Sequence, residues 1–209
     1  MPYVTAHRTR AAQLAGLTGW TGHWPHLPNW RALEIAFSHA FPADFKSYVE
    51  LFPPGAFGMV QVFHPFDPEF FLLGDTRAYV EQLMARNDAT NDEPDLPRFG
   101  NQPGELFAWG TVNGEYELCW EITAADPDTW TCVVADIPMR SVERYDGGML
   151  ELLLDVLGGD AGRIPSLGYL LDLLPMPFSQ YGTSSSVLPL QPGEVVRPGP
   201  FGVALHEPT

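Results

Sequence analysis

The pattern of this sequence predicts an α+β fold, a mainly antiparallel β-sheet of about four to six strands with helices packed on one face. Three observations carry that reading. Tyr116-Glu117-Leu118-Cys119-Trp120-Glu121-Ile122 alternates strictly between apolar and polar positions, the period of a strand rather than a helix. Asn113-Gly114 stands just before it and is the strongest short-range signal for a tight hairpin with positive φ at both central residues. Apolar stripes at helical spacing lie on either side of this region.

In chain order, residues 1–28 form an N-terminal extension with scattered apolar side chains. Asn29 is placed to cap a helix carrying Trp30, Leu33 and Phe37 on one stripe. Pro42 suits the first turn of a second helix, whose buried face is Phe45, Tyr48, Val49 and Phe52 and which Pro53-Pro54-Gly55 stops. Gly58 to Phe63 reads as a strand, and Thr76 to Arg86 as a helix. Asn87 to Gly104 is a polar, proline-containing connection. Strands follow at Glu105–Val112, Glu115–Ile122, Trp130–Ile137 and around Arg140–Arg144. If the Asn113-Gly114 turn has two residues, Trp109 pairs with Leu118 and Phe107 with Trp120. Glu117, Cys119 and Glu121 then share a solvent-facing, acidic side. Gly147-Gly148 opens onto a helix with Leu150, Leu153, Leu154 and Leu157, ended by Gly158-Gly159. The domain runs over residues 29–160. Residues 161–209 form a Pro/Gly-rich extension in which Leu167–Leu174 docks as a short helix and Pro175–Thr209 adds little to the core.

Composition narrows the function classes. The 209 residues hold 26 acidic against 11 basic side chains, a net charge of −15, and Lys46 is the only lysine. That balance argues against nucleic acid, whose phosphates require cations. It suits either simple solubility or a basic protein partner, whose complementary field speeds encounter. The start of the chain lacks the pattern of a secretory leader, and no apolar run is long enough to span a bilayer, so the expected location is the cytoplasm, with no membrane partner.

No catalytic, cofactor or metal motif stands out. Gly-x-Ser-x-Gly, the P-loop and the dinucleotide fingerprint are missing from the sequence. His23 and His26 have no Cys or acidic pair at ligand spacing, and His64, between Phe63 and Phe66, reads as structural. The carboxylate pairs Asp126/Asp128 and Glu117/Glu121 fall on a turn and on the outer side of a strand, settings that do not raise a carboxyl pKa for general acid work. Cys119 and Cys132 fall on opposite faces of neighbouring strands and read as free thiols, with Cys119 the more reactive.

The ordered set of elements resembles the SUKH superfamily of bacterial immunity proteins and fungal cell-wall regulators. Phe41-Pro42-Ala43-Asp44-Phe45-Lys46 is similar to the family's Leu-Pro-x-Asp-(aromatic)-Lys segment. The stretch from Gly110 through Asn113-Gly114-Glu115 to Trp120 is similar to its hairpin ending in Trp. Asp126-Pro127-Asp128-Thr129-Trp130 resembles its Asp-Pro-x-x-Trp strand. The likeness covers about Asn29 to Gly159, with Phe41 and Glu115 in place of the family's Leu and Asp. It implies a non-enzymatic protein that binds and neutralises a cognate toxin, most readily one acting on nucleic acid. The alternative is an intracellular regulatory or scaffold module binding a host protein; a hydrolase using paired carboxylates comes third. Residues 87–139 hold eleven acidic residues against Arg98 alone. The partner site, for a basic toxin domain, is therefore expected on Asp92, Glu93, Asp95, Glu117, Glu121, Asp126 and Asp128.

Overall fold

A computed structural model of the chain describes residues 2–66, 97–181, 195–198 and 204–207. The fold is α+β, with helices packed against a seven-stranded antiparallel sheet. The expected helix over Thr76–Arg86 and most of the connection after it lie outside the described residues.

Helix α1 (Pro2–Thr18) precedes α2 (Trp30–Phe37), which starts where Asn29 Oδ1 accepts from the Ala32 N–H at 3.1 Å. Helix α3 (Ala43–Leu51) follows Pro42 and buries Phe45, Tyr48 and Val49, as the stripe predicts, with Phe52 buried at its end. Strands β1 (Gly55–Phe57), β2 (Val60–Val62), β3 (Leu106–Val112), β4 (Tyr116–Glu121), β5 (Thr131–Asp136) and β6 (Ser141–Tyr145) then form a meander. Helix α4 (Met149–Gly158) ends at Gly159, whose φ of 93° is the left-handed cap that glycine adopts without a steric penalty. A 3-10 segment over Pro165–Leu173 buries Leu167 and Leu170, where the sequence predicts a short docked helix. Strand β7 (Phe178–Gln180) then joins the sheet beside β1. Val195–Pro198 and Ala204–Glu207 pair separately as β8 and β9.

The hairpin between β3 and β4 has the expected turn and an unexpected register. Asn113 and Gly114 have φ of 55° and 69°, and the Glu115 N–H donates to Val112 O at 3.1 Å. Yet Val112 pairs with Tyr116, because Glu115 is an extra residue on β4. A bulge at Trp109 restores the count, so Phe107 faces Trp120 as predicted while Gly110, not Trp109, faces Leu118. Bulges of this kind add twist without turning the remaining side chains over. Gly110 is required here: a Cβ on it would stand 2.5 Å from Gln61 O of β2.

One face of the sheet carries the aromatic core. Trp120 lies 1% exposed among Phe45, Phe107, Trp109 and Trp130, with ring centroids 5.4 to 6.3 Å away. Trp109, Leu118, Trp130 and Val134 are buried with it. Burial of aromatic side chains at this density supplies the main driving force for the fold.

Two expectations are corrected. The N-terminal extension is not set apart from the core, since α1 packs on α3 and α4 through Ala11, Leu14 and Ala15. Residues 176–180, expected to add little to the core, are not peripheral either. Met176 is buried, and Phe178 sets its ring 5.0 and 5.1 Å from those of Phe52 and Phe57. Among the described residues no helix is long and apolar enough to cross a membrane.

Candidate partner-binding surface

The four described acidic residues of the expected partner site do not form one exposed surface. Asp92, Glu93 and Asp95 lie outside the described residues. Glu121, Asp126 and Asp128 gather where β4 ends and the connection to β5 begins, and each has a local partner. Glu121 receives both the Nε and an Nη of Arg144 on β6, at 2.9 and 2.7 Å, and this guanidinium holds its carboxyl below the usual range. Asp126 Oδ1 accepts from the Asp128 N–H at 3.1 Å, closing a short 3-10 turn. Asp128 Oδ1 accepts from Ala43 N at 2.6 Å and so caps the start of α3. Asp126 and Asp128 remain exposed to solvent.

Glu117 is the correction. It lies on the face opposite Trp120, as the alternation requires, but that face is covered too, and Glu117 is 2% exposed. Its register neighbours are Thr111 on β3 and Ala135 on β5, and Cys119 follows on the same face, fully buried. Loss of solvation pushes its pKa up to about 8, with only partial compensation from the Thr111 hydroxyl. Glu117 Oε2 has no hydrogen-bond partner among the described residues. A group so placed is not part of an exposed acidic surface.

Both thiols are free and buried. Cys132 stands opposite Trp120 on the aromatic face and Cys119 opposite Val133 on the other, as predicted. Burial raises both thiol pKa values well above the ordinary one, so Cys119 is not the reactive outer thiol that the sequence suggests. His64 is structural as expected: buried, it donates from Nε2 to Phe52 O at 3.0 Å and accepts at Nδ1 from the Phe66 N–H at 3.2 Å. Burial lowers its pKa to about 3 and keeps the ring neutral.

A cavity of about 180 Å³ opens at the end of the sheet where Asp128 lies. Trp120 and Trp130 line it together with His7 and Arg10 of α1, Asp44 of α3 and Glu151 of α4. The starts of α3 and α4 meet there, and helix N-termini attract anions. The chain supplies its own. Asp128 caps α3, Asp44 Oδ2 accepts from Leu150 N at 3.3 Å, and Glu151 Oε2 accepts from Gly148 N at 3.1 Å. Arg10 closes on Glu151. Asp44, 6% exposed, has its pKa raised by burial against those backbone bonds. The sequence signal for this arrangement is an Asp in the first turn of a proline-started helix, read above only as part of a family resemblance.

The remaining carboxylates of the sheet, Glu115, Asp136 and Glu143, stand at its opposite end around Tyr116. The sequence reading did not single them out. Residues 97–181 as a whole carry thirteen acidic residues against four arginines, whereas residues 2–66 carry three against four basic ones. No family model, no curated protein and no solved structure matches the chain.

Proposed function

We propose that the protein is a non-enzymatic immunity protein, which binds a basic, nucleic-acid-targeting toxin domain and blocks it. The observation that carries this reading is the uneven charge along the chain. The half of the chain that builds β3 to β6 and α4 is strongly acidic, and the half that builds α1 to β2 is not. A toxin that handles nucleic acid is basic around its cleft, so a protein this acidic meets it with a complementary field. The engagement of Asp44, Asp128 and Glu151 as helix caps supports a structural use of the carboxylates lining the cavity. The order of motifs shared with SUKH proteins supports the same reading.

The experiment is to identify any toxin-like domain encoded by a neighbouring gene and co-express it with this chain. The expected outcome is a stoichiometric complex that survives purification, with the host cells protected. Association should slow as salt rises, because exposed charges are screened beyond about 8 Å at physiological ionic strength. Failure to form the complex or to protect, or equal protection by an unrelated acidic protein, overturns the proposal. Co-purification of a host protein instead would favour the scaffold alternative.

A further inference from the structure

Three hairpin turns of the sheet share one end. They are Gly58-Met59 between β1 and β2, Asn113-Gly114-Glu115 between β3 and β4, and residues 137–140 between β5 and β6. Backbone bonds lace them together: Asn113 N donates to Met59 O at 3.1 Å, and Ile137 N to Glu115 O at 3.0 Å. The 3-10 segment runs beside them. Ser166 donates from N and Oγ to Glu143 Oε2 at 3.2 and 2.9 Å, and Tyr169 sets its ring 6.0 Å from that of Tyr116, at 30°. Beyond its end, the Met176 side chain lies against Gly58.

This end is where the described residues leave most apolar surface uncovered. Eight large apolar side chains are exposed among them, and Met59, Met139, Tyr169, Leu171 and Leu173 belong to these turns or to the 3-10 segment. Single exposed apolar residues are ordinary, but a run of them bordered by polar groups is the usual mark of a binding surface. Met139 is 75% exposed at the tip of its turn, and methionine adapts readily to a partner's shape.

The charge here is directional. Asp136, Glu115 and Glu143 all act on the Tyr116 hydroxyl, which burial and then these carboxylates push to a higher pKa, and Glu115 acts also on Tyr169. Asp136 accepts from Met139 N at 2.9 Å and Glu143 from Ser166, bonds that orient the carboxylates without neutralising them. Arg140 is the only basic residue of the three turns.

We propose that this sheet end is the docking surface, and that its occupant is an arginine-bearing segment of a basic protein. The arginine seats its guanidinium against the Tyr116–Tyr169 pair and forks onto Glu115, Asp136 and Glu143. Arginine fits better than lysine because its planar group stacks on aromatic faces and bonds carboxylates in pairs. This rests on the binding reading above and names the surface and the recognition chemistry for it.

The test is amide NMR of the full chain titrated with a blocked Gly-Arg-Gly-Arg-Gly peptide, alongside its lysine and citrulline counterparts. The expected result is shifts confined to residues 58–60, 113–116, 136–143 and 166–173, with arginine stronger than lysine and citrulline silent. Tyr169→Ala, at an exposed position, should keep the melting temperature and weaken the arginine peptide about five- to ten-fold. Asp126→Lys at the other end should leave the affinity unchanged. Shifts centred on Glu121, Asp126 and Asp128 would overturn this surface while leaving the immunity reading intact. Absence of shifts, or binding indifferent to Tyr169, would overturn it as well. Peptide binding here together with failed toxin co-purification would uphold the surface and remove the toxin as its partner.

Discussion

Replacing Glu117 by Gln should stabilise the protein, and the gain should grow with pH. In the folded chain the carboxyl has a pKa near 8 against an ordinary 4.5, so folding favours its protonated form. The stability that this form provides is complete below about pH 4.5 and is lost as pH rises through about 8. Working the two pKa values through linkage, the ionisable side chain costs on the order of 3 kcal/mol at neutral pH relative to acid. Between pH 5 and pH 9 the wild type should lose about 4 kcal/mol relative to a variant that cannot ionise. Glu117→Gln keeps the size of the side chain. Glu117→Met removes the polar group altogether and guards against a new unpaired amide, since apolar replacement of a buried charge is often neutral or stabilising. Urea unfolding of all three proteins at pH 5, 7 and 9 measures the difference, with other titrating groups cancelling between them. A wild-type-to-variant difference that stays flat across this range, for both variants, would show that Glu117 is solvated and that the second sheet face is open.

The other predictions concern the tail, the thiols and the buried histidine. Truncation after Pro175 removes Met176 and β7, so it should cost about 3 kcal/mol or more in unfolding free energy through lost aromatic packing; an unchanged melting temperature would show that β7 is not part of the fold. Cys119 and Cys132 should both resist a bulky thiol reagent in the folded state and both titrate after denaturation without reductant, and selective native labelling of Cys119 would contradict its burial. His64 should remain neutral at pH 5 as the Nε2–H tautomer in nitrogen NMR. Stability should fall as pH drops from about 6.5 toward 3, because the unfolded chain then binds a proton that folded His64 does not. An imidazolium signal assigned to His64 in the folded protein at pH 5 would refute this.

The parts of the fold legible in the sequence are those whose signals are local. Asn29, Pro42 and Gly159 mark helix ends through side-chain or backbone constraints that act within one turn, and each sits where it was expected. The Asn113-Gly114 turn likewise follows from φ alone. The parts missed depend on distant partners. Helix α1 packs through Ala11, Leu14, Ala15 and the part-polar Thr18, a face at helical spacing but made mostly of small residues, so its apolar signal in the sequence is weak. Strand β7 is three residues long beside prolines, and only its pairing with β1 makes it a strand. The extra residue at Glu115 and the bulge at Trp109 cancel over the hairpin, so the sequence pattern of β4 looks regular although the pairing is not.

The acidic side was misplaced for a related reason. Alternation along β4 assigns Glu117 and Trp120 to different faces correctly, but it does not say that one of those faces is wet. That information lies on the neighbouring strand. Cys132-Val133-Val134-Ala135 is a continuous apolar run, the mark of a strand covered on both sides, and its Val133 and Ala135 share the face of Cys119 and Glu117. Once β5 is read that way, a carboxylate in the middle of β4 becomes a buried group. The carboxylates able to meet a partner are then displaced to the sheet ends, where the turns leave Glu115 and Asp126 exposed. Of the two ends, one spends Asp128 and Glu151 on its own helix N-termini. The other sets Glu115, Asp136 and Glu143 around two tyrosines, so part of the charge expected over a whole face stands there.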